Sequence, residues 1–222
     1  METDLIYKSL ELPNGARFYK CALQVNPFEY LKRHKQQTSF SNETEYNNAI
    51  VQACKQQGIE VVAITDHYRI DSAKSLDQAL RTSGLYTFLG FEAVTKDAVH
   101  ILCLFDPECP HETINRILGE CGIHNSNADS PAGKYDMQEF LKKSREWNAV
   151  CIAAHVVADG GLLMTLKSQA RVNAWRSPDL LACSLAGPVN QAPENLRSIL
   201  SNTDLSYKRD HPIAILNAQD IR

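Results

Sequence analysis

The chain has 222 residues, 44% of them hydrophobic and 22% charged, a composition that excludes an intrinsically disordered protein. A formal net charge of −3 excludes a domain that holds nucleic acid by bulk charge, while leaving room for a local basic patch. Apolar runs such as Val61-Val62-Ala63-Ile64 fall far short of the roughly 18 residues that span a bilayer.

The acidic start, Met1 to Leu5, lacks the apolar stretch of a secretory signal. A first strand is expected near Tyr19. The spacing of Tyr46, Ala49, Ile50, Ala53 and Cys54 predicts a helix over 43–57, ended by Gly58. Residues 60–65 form a short β-rich run. Leu76, Ala79 and Leu80 predict a helix over 72–82, stopped by Gly84. Strands are expected over 86–89 and 99–105, then a helix over 112–120 with Gly122 as its stop. Residues 125–134 read as a surface loop. Asp136 with Glu139 resembles a capping box, opening a helix through Met137, Phe140, Leu141 and Ser144. A buried strand is expected over 149–153, a helix over 160–168, and strands over 180–185 and 213–216 with a Pro193-initiated helix between them. Gly160-Gly161 marks a turn or a helix start. Strand and helix in alternation predict a parallel α/β fold, and the number of units favours a barrel over a small open sheet.

Seven cysteines are present, an odd number with no Cys-x-x-Cys pair. Cys54, Cys103, Cys151 and Cys183 lie in apolar stretches, so reduced, buried thiols and a cytoplasmic location are expected.

The informative pattern lies at the strand ends. Asp66-His67 comes after one strand, Glu92 after a second, His155 after a third, and Asn217-Ala218-Gln219-Asp220 after a fourth. Any one of these alone reads as a helix cap or a surface imidazole. Their joint placement matches the face where parallel barrels build active sites. His100 opens its strand eight residues after Glu92. A three-residue hairpin loop would set the two side by side on one face, and a two-residue loop on opposite faces. Two imidazoles and a carboxylate with one open position form a catalytic zinc set, whose open position holds an acidified water. No Walker A loop, Gly-x-Gly-x-x-Gly or Gly-x-Ser-x-Gly motif occurs.

In their order, Thr65-Asp66-His67, Gly90-Phe91-Glu92 with the later His100, and Ala153-Ala154-His155 resemble the motifs of the polymerase and histidinol phosphatase (PHP) family. The resemblance runs from about Phe18 to Asp220. In the C-terminal half, Gly161-Leu162-Leu163, Ala174-Trp175, Gly187-Pro188-Val189 and Leu216-Asn217-Ala218-Gln219-Asp220 are similar to the PHP domain at the N-terminus of a family of large AAA-like ATPases. The resemblance implies a distorted (β/α)7 TIM-like barrel, a site of up to three metal ions, and phosphoesterase activity. By position, Glu92, His100 and His155 would bind one ion. Glu92 and Asp220 would serve a second, with two histidines of an early His-x-His motif, and His67 would serve a third.

The sequence departs from that pattern twice. Gln24 and Asn26 stand where the early histidines belong, and amides are weak ligands for zinc or manganese. Arg222 stands where a closing histidine belongs, and a guanidinium cannot ligate a metal. One divalent ion, zinc or manganese, is therefore expected at Glu92, His100 and His155. Two readings arise for residues 1–222, taken as one domain at the front of a longer ATPase-containing protein. In the first, metal-bound hydroxide attacks a phosphate-containing small molecule or nucleic-acid end. His67 or Asp66 then shuttles protons, and Arg69, Lys96 or Arg222 holds phosphate. In the second, the domain is catalytically degenerate and serves as a binding or regulatory module for an attached or partner ATPase.

Overall fold

The computed structural model describes residues 19–124 and 131–217. Seven strands form one curled sheet in sequence order: β1 (Cys21–Val25), β2 (Val61–Ile64), β3 (Tyr86–Val94), β4 (His100–Leu104), β5 (Val150–Ala153), β6 (Leu180–Leu185) and β7 (Ala214–Asn217). The helices are α1 (Phe28–Arg33), α2 (Glu43–Gln57), α3 (Lys74–Thr82), α4 (His111–Glu120), α5 (Met137–Glu146), α6 (Leu162–Thr165), α7 (Ser168–Arg176) and α8 (Glu194–Leu200). No helix among the described residues is long and apolar enough to cross a membrane.

Local signals act as read. The Asp136 side chain accepts from Glu139 N while Glu139 bonds back, completing the capping box of α5. Gly58 ends α2 at φ 63°, and Gly122 lies just past α4 at φ 88°, both in the left-handed region that glycine enters without strain.

Four expectations are corrected. First, the sheet is not wholly parallel: β4 runs antiparallel to both β3 and β5, while the other neighbouring strands pair parallel. Second, β3 does not stop at Leu89. A Cβ on Gly90 would lie 2.4 Å from the Cys103 carbonyl oxygen, so this glycine marks the close approach of β4 inside the strand. Third, the buried side of α2 is Tyr46, Asn47, Val51 and Cys54, and Ala53 is exposed. Asn47 is drawn inward by its hydrogen bond to Ser75 Oγ, 2.8 Å away, beside α3. Fourth, the helix expected over 160–168 is only the four residues of α6, and α7 begins anew at Ser168 with φ 47°.

Strand alternation divides the apolar residues between two faces. The outward face carries the large core, in which Phe91 packs its ring 5.5 Å from Tyr68, 5.8 Å from Phe105 and 6.5 Å from Phe140. Ala63, Leu102, Leu104, Ile152, Ala154 and Ala182 form a smaller separate cluster, with Leu23, Phe88 and Leu216 packed against it. Glu92 stands in register with Leu102, and Leu102 with Ile152, so the carboxylate sits above that smaller cluster. Cys54, Cys103, Cys121, Cys151 and Cys183 are buried free thiols, and burial first of all pushes Cys121 and Cys183 up to about 12.

Phe91→Ala should lower unfolding stability by about 3–5 kcal/mol in a denaturant titration, because a fully buried ring is lost. Leu205→Ala, at an 84% exposed position, should change it by less than about 0.5 kcal/mol.

Candidate metal centre

The antiparallel β4 reverses which end of a strand reaches the site. β2, β3 and β5 deliver residues at their C-terminal ends, whereas β4 delivers its first residue, His100. Glu92 belongs to β3 itself rather than to a loop after it. The hairpin loop spans residues 95–99, so Glu92 pairs with Leu102 and Val94 with His100. Glu92 and His100 are therefore diagonal neighbours on one face, not the direct pair that a three-residue loop would give.

Glu92 Oε1 lies 2.7 Å from His100 Nδ1 and 3.7 Å from His155 Nε2. Its other oxygen, Oε2, accepts from Gln24 Nε2 at 2.8 Å. Glu92 is 4% exposed. Burial pushes its carboxyl up, but the bonds from His100 and His155, with His67 nearby, hold it down at about 2. One ligand atom from each of Glu92, His100 and His155 lies within 4.8 Å of the others. Ligand atoms around a tetrahedral zinc ion are about 3.4 Å apart, given bonds of about 2.0–2.2 Å, so this nitrogen, nitrogen and oxygen set fits a divalent ion.

His155 sits at φ 28°, with its N–H donating to Ser184 Oγ at 2.7 Å. Gly160 passes over the His100 ring and its carbonyl accepts the His100 N–H at 2.8 Å. Neither Ser184 nor Gly160 was legible as a site residue, because neither carries ligand chemistry.

His67 joins the group edge-on, its ring 5.9 Å from that of His100. On its other side lie Tyr30 at 5.7 Å and His34 at 5.6 Å. Sequence reading missed His34, which caps the short helix α1 far from any strand end. His34 Nε2 and His67 Nδ1 are buried without hydrogen-bond partners among the described residues. Burial lowers the His67 pKa from its ordinary 6.5, and the nearby His100 and His34 lower it further against the pull of Glu92.

Asp66 is engaged elsewhere. Its Oδ1 accepts from the Arg33 guanidinium and, at 2.7 Å, from His67 N; its Oδ2 accepts from Ser72 Oγ at 2.9 Å. Asn26 turns its amide to the Thr65 carbonyl at 2.9 Å. Arg69 is half-buried and lines a cleft of about 570 Å³ with Arg33, Tyr68 and Ser72, a cleft that does not include the Glu92 trio. Lys96 is exposed on the β3–β4 hairpin. Asp220 and Arg222 lie outside the described residues.

No protein-family model and no curated protein matches the sequence. Solved structures do match in fold. The lesion-specific endonuclease PfuEndoQ from Pyrococcus furiosus superimposes with a TM-score of 0.60 at 16% identity, over 91% of this chain and 48% of that one. An Endonuclease Q complex with a 27-mer duplex carrying an abasic lesion at the active site gives 0.53 at 15%, over 74% and 42%. A Bifidobacterium adolescentis protein described as a metal-dependent phosphoesterase gives 0.55 at 15%, over 94% and 88%. The likeness is one of fold, and the chain spans about half the length of the endonucleases.

Because His67 has a lower pKa folded than unfolded, the unfolded chain binds more protons in between. The stability present above about pH 6.5 is lost as pH falls toward the folded value. Thermal unfolding of metal-free protein should show the melting temperature dropping between pH 7.5 and 5.5. His67→Gln should drop less over that interval; equal slopes would remove His67 as the cause.

Proposed function

We propose that this chain is a metal-dependent phosphoesterase-type domain that cleaves phosphate esters, with a nucleic-acid phosphodiester as the favoured substrate class. The single observation that carries this reading is the convergence of the half-buried His100 and His155 on the buried Glu92 at the site end of the sheet. The fold likeness to two endonucleases and one phosphoesterase supports it.

In this reading Glu92, His100 and His155 hold one zinc or manganese ion. When bound, such an ion supplies a Lewis acid for a phosphoryl oxygen. His67, kept neutral by burial, takes up a proton at an imidazole nitrogen. Asp66 is a positioning group: its carboxylate is held by Arg33 and Ser72 and fixes the backbone of His67. Arg69 and Lys96 are the cations proposed to hold flanking phosphate.

The contact from Gln24 to Glu92 Oε2 favours a second reading. Glu92 would be among the residues holding any second ion, and Gln24 already engages its carboxylate. With it occupied by an amide, the site is limited to one ion and reduced in rate. A domain so reduced is proposed to act as a binding or regulatory module for an attached or partner ATPase region.

Calorimetric titration of chelator-stripped protein should give one zinc or manganese ion per chain, with at least tenfold weaker binding by His155→Ala. Binding should fall below about pH 6, where imidazoles protonate. Metal-dependent cleavage of bis(p-nitrophenyl) phosphate or an abasic-site duplex selects the first reading. Binding without cleavage selects the second, and no binding by the wild type overturns the metal centre. Replacing both Gln24 and Asn26 with His should raise the stoichiometry from about one to about two. Unchanged stoichiometry in a folded double variant would overturn the account of the lost second ion.

A further inference from the structure

We infer that Gly160 and Gly161 are the positioning residues of the metal centre, Gly160 seating the His100 ring and Gly161 the His155 turn. The inference rests on the reading that Glu92, His100 and His155 hold an ion.

The chain turns back on itself between His155 and Gly161. Ser184 holds the start of the turn twice, its Oγ accepting from His155 N at 2.7 Å and its carbonyl accepting from Val156 N at 3.0 Å. Ala158 N then donates to the His155 carbonyl at 2.8 Å, and Gly161 N to the Ala158 carbonyl at 2.9 Å. The turn is thereby laid against the first residue of β4, where His100 N donates to Gly160 O at 2.8 Å.

The two glycines are required for different reasons. A Cβ on Gly160 would lie 2.7 Å from His100 Cδ2 and 3.0 Å from Nε2, far inside contact distance. The His100 ring is already held by its neighbours. Its Nδ1 is 2.7 Å from Glu92 Oε1, the His155 ring is 5.0 Å away on one side, and the His67 ring is 5.9 Å away on another. A methyl at position 160 would therefore break the His100–Glu92 contact. A Cβ on Gly161 would lie 2.3 Å from His155 O and 2.7 Å from the Val156 carbonyl carbon, which are backbone atoms that cannot swing aside. One pair of missing side chains thus sets the position of two of the three ligands.

Gly160 also has φ 75°, so alanine there suffers backbone strain whatever it touches. Gly84 separates the two effects. Its φ is 83°, and a Cβ there would meet nothing within 4 Å. Gly160→Ala and Gly84→Ala share the strain, and only the first presses on His100.

The test compares these two variants with the wild type by zinc calorimetry and by imidazole NMR of the metal-free protein. Gly160→Ala should bind zinc at least tenfold more weakly and lose the His100 Nδ1 proton signal of the contact to Glu92. Gly84→Ala should retain both. A folded Gly160→Ala with wild-type affinity and an unchanged His100 signal overturns the inference. If the wild type binds no zinc, the metal reading falls, and the NMR comparison still decides whether Gly160 seats His100. If Gly160→Ala does not fold, His100→Ala is added to it. Recovery of folding supports the clash with the ring, and continued failure while His100→Ala alone folds overturns it.

Discussion

A carboxylate taken almost wholly out of water has to be compensated on every side, and Glu92 is the group for which this protein makes that compensation. An uncompensated buried charge costs several kcal/mol. Glu92 is compensated by side chains from three other strands or strand ends: the Gln24 amide from β1, His100 from β4 and His155 from beyond β5. These contacts fit the order of the sheet. β3 must run on past Leu89 to carry Glu92 above the Ala63–Leu102–Ile152 cluster, and β4 must return antiparallel so that its first residue lies at the same level.

A second network supports His67 and joins Glu92 only through the backbone, where Glu92 N donates to the Asp66 carbonyl at 3.0 Å. Asp66 is 1% exposed and accepts from Arg33, from Ser72 and from the N–H of His67. Its charge is satisfied by α1 and by the turn into α3, which fixes the backbone from which His67 projects. The two carboxylates therefore do different work. Glu92 faces the imidazoles, and Asp66 anchors the strand end that supplies one of them. Acids supplied by different strands of one site are not interchangeable once their partners are known.

Features governed by local physics were legible in the sequence. The capping box at Asp136 and Glu139, the stops at Gly58 and Gly122, and the burial of Cys54, Cys103, Cys151 and Cys183 all depend on a few adjacent residues. The grouping of Glu92, His100 and His155 was also legible, Glu92 and His155 from their places at strand ends and His100 from the hairpin that its spacing from Glu92 allows. Strand direction was not. A β-run carries no mark of parallel or antiparallel pairing, so the strand-and-helix rhythm implied a parallel sheet although the Glu92–His100 spacing allowed a hairpin, and β3 was expected to end before Gly90 rather than to run through it. His34 stayed hidden because it reaches the site from a helix end, and Gly160 because its contribution is an absent side chain.

The antiparallel return of β4 has a consequence for how the molecule assembles. Glu92 and His100 are eight residues apart and meet across a hairpin, whereas Gln24 reaches Glu92 across a sequence separation of 68. Closing a short loop loses little chain entropy and takes microseconds, while parallel pairings wait for long loops to close. Two of the three ligands therefore belong to the fastest-forming element of the sheet. The third ligand, His155, follows a strand that pairs with β4 from far along the chain, so the complete ion site is among the later products of folding.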